Sequence, residues 1–131
     1  MPVDLMKQLE RLGNNTDRIC INAMKEAEPL LVNSLREECA KHHISKRDKT
    51  RGEMEASIRA SGPKKNKYGF YDHIAPQGYD SKGVPNSLKL NVLEYGKEGQ
   101  PSVPVCTPAR NRVQEQVEQT IQKSIERQAG L

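Results

Sequence analysis

Met54-Glu55-Ala56-Ser57-Ile58-Arg59-Ala60-Ser61 is the stretch that separates an all-helical reading of this chain from a mixed one. Met54, Ala56, Ile58 and Ala60 alternate with Glu55, Ser57, Arg59 and Ser61, the period of two that a half-buried strand requires. Met, Glu and Ala are poor strand formers, so the same stretch can open as a helical turn before it extends. Tyr68-Gly69-Phe70-Tyr71 through Ile74 reads as a second strand. Leu88, Leu90 and Val92 alternate as a third, and Leu93 and Tyr95 take the opposite phase, which a bulge or strand end near 92–93 explains.

Helical patterns flank these strands. Val3, Leu5, Met6, Leu9 and Leu12 follow the i, i+3, i+4 spacing of an amphipathic helix over 3–12. Gly13-Asn14-Asn15 then reads as a stop, and Asn15 or Thr16 as the cap of a second helix. That second helix runs from Asp17 to about Ala40 on Ile19, Ala23, Ala27, Leu30, Leu31 and Leu35. Pro29 lies inside it, where a lost hydrogen bond and a steric clash cost roughly 3 kcal/mol, so a kink or restart is expected near residue 28. Thr107-Pro108 reads as an N-cap followed by proline at the first helical position. The helix it opens, about 109–128, carries Val113, Val117, Ile121 and Ile125 on one narrow stripe. The whole is a small α+β domain: N-terminal amphipathic helices, an antiparallel sheet of about three to four strands, and a C-terminal helix. Residues 75–87 form a turn-rich loop, and 96–108, with two Gly and three Pro, a Pro-rich extended arm.

The 131 residues make one domain with a thin core. Leu, Ile, Val and Phe number 26, there is no Trp and one Phe, and mean hydropathy is -0.82. A chain of this kind is expected to lean on partner chains for burial. The narrow stripe of the last helix is then expected to pack in part across the small sheet and in part to line an interface between identical subunits. No window approaches the 18 apolar residues of a membrane span, and the interleaved charges of the first 13 residues argue against a signal peptide. Cys20, Cys39 and Cys106, odd in number and widely spaced, point to a reducing compartment.

The basic excess is concentrated. Residues 41–67 carry a net charge of +6, against -2 for 1–40 and zero for 68–131. Residues 41–53 contain few apolar side chains and are expected to form a mobile basic loop. Lys46, Arg47, Lys49, Arg51, Lys64, Lys65 and Lys67 are therefore candidate partner-binding residues, suited to phosphates or to an acidic protein. No aromatic residue is interleaved with them in 41–67 and no reading motif is present, so sequence-specific recognition is not expected.

Catalytic chemistry finds little support. Cys39, His42 and His43 form C-x-x-H-H, but no second pair follows to complete a zinc site, and His73 and Cys106 are remote in sequence. A helix end with favourable basic residues accounts for the cluster. Asp72-His73 cannot act together from one strand, because adjacent side chains point to opposite faces. There is no P-loop, nucleophile elbow or dinucleotide turn. The expectation is a non-enzyme with no catalytic residue, metal or cofactor.

Four segments in order carry a resemblance: the N-terminal amphipathic helices; Thr50-Arg51-Gly52-Glu53-Met54-Glu55-Ala56-Ser57-Ile58; Leu93-Glu94-Tyr95-Gly96; and Pro101-Ser102-Val103-Pro104-Val105-Cys106-Thr107-Pro108-Ala109 before a polar helix. Together they resemble the small minor tail and tail-completion (head–tail joining, neck) proteins of tailed bacteriophages and prophages, over about Leu5 to Ile125. In that family's pattern a T-G-x-L-x-x-S-I-like segment follows a basic loop. An aliphatic-Glu-aromatic-Gly strand end comes next, then a Pro-rich arm. Here Arg51 separates Thr50 from Gly52, Val105-Cys106 replaces the usual Phe-Leu, and Lys97 stands where Thr is common. The resemblance implies a structural virion protein at the top of the tail or in the neck, assembled in the host bacterial cytoplasm as a ring of identical subunits. Its partners would be other tail and neck proteins, met through the arm residues Pro101, Val103, Pro104 and Val105, with packaged DNA as a further partner of the basic loop. The alternative from another class is a small, non-sequence-specific nucleic-acid-binding accessory protein using 41–67.

Overall fold

The computed structural model describes residues 3–42, 52–99 and 101–130, and of residues 3–15 the backbone alone. The elements in order are α1 (Val3–Lys41), α2 (Glu53–Ala56), β1 (Ile58–Ala60), β2 (Lys64–Asn66), β3 (Gly69–Tyr71), β4 (Ile74–Pro76), α3 (Asn86–Tyr95) and α4 (Cys106–Ala129). Helix, strand and C-terminal helix thus follow the α+β plan. The segment 43–51, which holds most of the expected basic loop, lies outside the described residues.

α1 organises the molecule. It is one helix, so neither the stop at Gly13-Asn14-Asn15 nor the restart near residue 28 occurs. Pro29 is exposed, where water can satisfy the carbonyl it strands, and the flanking Ala27 and Leu35 are buried on either side of it. Packing overrides the local breaker.

α4 lies antiparallel along one face of α1. Ser34 Oγ donates to the carbonyl of Ala109 at 2.7 Å, and Arg112 bonds Glu37 at 2.9 Å and pairs with Glu38. At the far end Asn22 donates to Gln128 at 2.9 Å, and Gln128 in turn donates to the carbonyl of Ile19 at 3.2 Å. The buried residues along this seam are mostly small (Ala23, Ala27, Ser34, Ala109, Ser124), which lets two polar helices approach closely over a thin core. α4 ends at the level of Ile19, and α1 runs on past it to Val3.

The four strands form one long antiparallel ribbon with a break in it. Ile58, Arg59 and Ala60 pair with Pro76, Ala75 and Ile74, and Lys64, Lys65 and Asn66 pair with Tyr71, Phe70 and Gly69. Between the two ladders residues 61–63 face 72–73, so one strand carries an extra residue. Ser61 N–H still donates to the His73 carbonyl at 2.8 Å, and Gly62 N–H donates to the Asp72 carboxylate at 3.2 Å. Pro63, which has no N–H to offer, falls in this bulge. The expected single strand from Tyr68 to Ile74 is therefore two, and Lys64–Asn66 is a strand that its three polar residues did not announce.

The ribbon runs along α1 on the face opposite α4. Arg36 donates to the Ile58 carbonyl at 2.7 Å near its base, and Lys65 meets Asp17 at 3.1 Å near its tip. At 100° per residue Asp17, Glu28, Val32 and Arg36 lie about half a turn from Ile19, Ala23, Glu26 and Ser34.

The expected third strand is a helix. Leu88, Leu90 and Val92 alternate, but Asn86, Leu90 and Leu93 also repeat at i, i+4, i+7, and these three are the buried residues of α3. Leu, Lys and Glu favour helix, and Val92 is its single β-branched residue. The principal core closes around the C-terminal end of α1: Leu35, Cys39, Met54, Ile58, Leu90, Leu93, Val105 and Ala109, with Val32, Ile74 and Val103 packed against it.

Candidate functional site

Three of the segments singled out in the sequence meet at this core. Met54 and Ile58 come from the first, Leu93 from the second, and Val103, Val105 and Ala109 from the third. Leu93-Glu94-Tyr95-Gly96 closes α3 rather than a strand. Each of its residues has a separate task. Leu93 is buried, and its carbonyl accepts the Val103 N–H at 2.7 Å. Glu94 reaches across to the start of α4, where its carboxylate accepts the N–H groups of Val105 at 2.7 Å and Cys106 at 3.1 Å. Tyr95 is exposed. Gly96 takes φ 77 and ψ 178, a backbone state essentially restricted to glycine, and so turns the chain into the following segment.

Glu94 explains a departure at the next helix. α4 begins at Cys106 with Val105 as N-cap, not at Thr107-Pro108, and Val105 has no side-chain oxygen to cap with. A carboxylate from α3 satisfies the free N–H groups instead and complements the positive end of the helix dipole. The Pro-rich segment is correspondingly less free than an arm. Pro101 and Pro104 are exposed, whereas Val103 is packed on the core and Val105 is 0 % exposed.

The thiols at this junction are poor nucleophiles. Burial pushes Cys39 up to about 12, with Glu55, Cys106 and Glu94 adding negative field. Burial and Glu94 together push Cys106 up to about 11. His42 lies 3.8 Å from Glu38, and His43 is outside the described residues. Among the described residues no three or more His, Cys, Asp or Glu side chains converge as a metal site would require.

The basic candidates divide. Lys46, Arg47, Lys49 and Arg51 lie outside the described residues. Lys64, Lys65 and Lys67 are exposed on β2 and on the turn that follows it. Here the ribbon adds what residues 41–67 lacked, because it folds Phe70 and Tyr71 back onto Lys65 and Lys64, with Tyr68 beside Lys67 in the turn. Lys65 Nζ stands 5.5 Å from the Phe70 ring centre and Lys67 Nζ 5.0 Å from that of Tyr68. The tyrosines were missed as partners because they follow the basic stretch rather than interrupt it; Tyr68 adjoins Lys67 in the turn, and strand pairing brings Tyr71 opposite Lys64.

The stripe of α4 is engaged within the chain. Val113 is buried, and Val117, Ile121 and Ile125 are half-buried, along the helix that packs on α1. The exposed apolar side chains lie elsewhere. Leu88 and Tyr95, seven residues apart on one face of α3, are 51 % and 78 % exposed, and Tyr79 and Val84 flank them in the loop leading into the helix. That loop is held from inside by Asp80, whose carboxylate accepts the N–H groups of Lys82 at 2.8 Å and Val84 at 2.9 Å and pairs with Lys89. The Lys89 hydrogen bond, with these two backbone bonds, holds Asp80 down at about 2.

Two open grooves border the ribbon base. One of about 350 Å³ includes Glu28, Asn33, Arg36 and Arg59, and one of about 400 Å³ includes Glu53, Ser57, Tyr79 and Asn86. Both are shallow surfaces rather than enclosed chambers. Among the described residues no helix is long and apolar enough to cross a membrane. No family model, curated protein or solved structure matches the chain.

Proposed function

We propose that this chain is a structural component of the neck or tail top of a tailed phage or prophage, where a ring of identical copies completes the tail and helps join it to the head. One observation carries the reading. The three motif segments that resemble the tail-completion proteins, far apart in sequence, form one packed junction in which Ile58, Leu93 and Val105 touch the same core and Glu94 caps α4.

The surface supports the ring. A chain with so thin a core gains by burying apolar area against neighbours, and head-to-tail contacts repeated around an axis do this without leaving open ends. The α3 face of Leu88 and Tyr95, with Tyr79 and Val84 in the loop leading into it, offers exposed apolar surface for such a contact. The exposed Pro101 and Pro104 lie on a pre-extended segment that loses little entropy when a partner binds it.

The test is mass spectrometry and cryo-electron microscopy of particles released on induction of the source strain. The chain is expected at the head-proximal end of the tail in a ring. Its absence from purified tails and virions would sink the reading.

A further inference from the structure

The ribbon tip has two faces with different employment. Residues directly opposite in an antiparallel pair share a face, so Lys65 goes with Phe70 and Lys64 with Tyr71. The Lys65–Phe70 face is turned toward α1, where Lys65 pairs with Asp17. The Lys64–Tyr71 face is therefore turned away, and Tyr71 is 44 % exposed on it. Beyond it Lys67 and Tyr68 form the two-residue turn, and Tyr68 is 86 % exposed.

This geometry is built rather than loose. Asn66 Oδ1 accepts the Tyr68 N–H at 2.8 Å, and Gly69 supplies the positive φ of 129 that closes the hairpin. The Lys65–Asp17 pair and the Arg36–Ile58 bond tie the ribbon to α1 near both ends. The backbone that carries both rings is thus set before anything binds. The charge is of one sign: residues 56–71 contain Arg59 and three lysines and no Asp or Glu.

We propose that the ribbon tip binds single-stranded nucleic acid, with Lys64 and Lys67 on phosphates and the rings of Tyr68 and Tyr71 stacking on bases. Two exposed rings beside cations at phosphate-like reach are the parts from which sequence-tolerant single-strand sites are made. A duplex keeps its base faces stacked and would leave both rings idle. An acidic polypeptide would use the lysines but has no need of a planar face. The proposal is independent of the assembly reading, because it concerns the isolated chain in solution.

Fluorescence anisotropy of the full chain with a labelled 20-nucleotide oligo(dT), a matching duplex and a poly-glutamate peptide decides it. Oligo(dT) should bind most tightly, and Lys64→Gln with Lys67→Gln should flatten the log K against log salt slope by about 1.4. Tyr68→Ala and Tyr71→Ala should each weaken binding about tenfold at unchanged slope, while Tyr68→Phe, which keeps the ring, should bind like the parent. Unchanged thermal melts of these surface variants exclude unfolding as the cause. Tyrosine variants that bind oligo(dT) as the parent does, duplex or poly-glutamate bound as tightly as the single strand, or no binding at all would each overturn the proposal.

Discussion

Glu94 shows how much one side chain can decide in a fold with little core. Its carboxylate holds two N–H groups at the start of α4, a helix whose own N-cap residue is Val105. Replacing a capping oxygen with a methyl costs about 1 kcal/mol, and a charged acceptor at a helix N-terminus adds to that. Glu94→Ala should therefore lower the urea midpoint by the equivalent of about 1–2 kcal/mol. Glu94→Gln, which keeps an acceptor and loses the charge, should cost less. Equal stability of Glu94→Ala and the parent would mean that water caps α4 equally well. The residue was visible in the sequence as part of a motif, but its task was not, because the N–H groups it serves are eleven and twelve positions away. The cysteines give a second check at this scale. With Cys39 near 12 and Cys106 near 11, roughly a thousandth or less of either is thiolate at pH 8. Cys39, which is also buried, should react with a thiol reagent far more slowly in the native chain than in urea, and more slowly than the exposed Cys106. Fast native labelling of Cys39, which is 1 % exposed, would show that the junction opens readily.

Among the elements, α1 and α3 teach opposite lessons about reading a pattern. In α1 the breakers Gly13 and Pro29 were legible and yet the helix runs through both; at Pro29 contacts on two faces of the helix outweigh a local cost of a few kcal/mol. In α3 a period of two over three residues imitated a strand, whereas the buried set followed the helical spacing over eight. Short alternations settle little by themselves. The start of the ribbon was read better: α2 is the helical turn and Ile58–Ala60 the strand that Met54–Ser61 allowed in succession. How the ribbon rests on α1 was not legible at all, because its ties, Arg36 to the Ile58 carbonyl and Lys65 to Asp17, join residues far apart in sequence. Glu28 on α1 meets Asp72 in the ribbon bulge, and sharing a hydrogen bond with that carboxyl, together with burial, raises Glu28 to about 7, while Lys25 opposes the shift. A carboxyl raised above its ordinary value of 4.5 favours folding while it is protonated. Its contribution is complete at low pH, is lost as pH rises from about 4.5 to about 7, and changes no further above that. Glu28→Gln keeps a hydrogen-bonding group without the titration. Its Tm should match the parent's at pH 4 and exceed it at pH 8, on the order of a few degrees. Parallel pH profiles for variant and parent would contradict the shared proton.

At the scale of the whole molecule, the thin core becomes intelligible as a division of labour. A central helix carries α4 on one face and the ribbon on the other, and the large apolar residues are concentrated at one end, where α2, α3 and the Val105 segment converge. Elsewhere small residues and polar clamps such as Arg112 with Glu38 and Arg127 with Glu26 replace hydrophobic bulk. Composition made this economy visible in advance, but misplaced its consequence. The Val113–Ile125 stripe was expected to pack partly across the small sheet and partly against a second subunit; within the chain it is α1, not the sheet, that covers much of it. Among the described residues the α3 face remains open to a neighbour, and its Leu88 and Tyr95 were assigned to a strand by their alternation. Both side chains are more than half exposed, so charged replacements there should change the stability of the isolated chain by no more than about 0.5 kcal/mol. In an assembled ring the same replacements would bury charge without a partner at every subunit contact, and the cost would recur around the axis. The variant Leu88→Glu with Tyr95→Glu should thus melt like the parent yet fail to enter particles. Val117→Glu with Ile121→Glu should instead destabilise the monomer, by loosening α4 from α1. If the α3 variant assembles normally while the parent chain is present in those particles, the subunits must meet through another face.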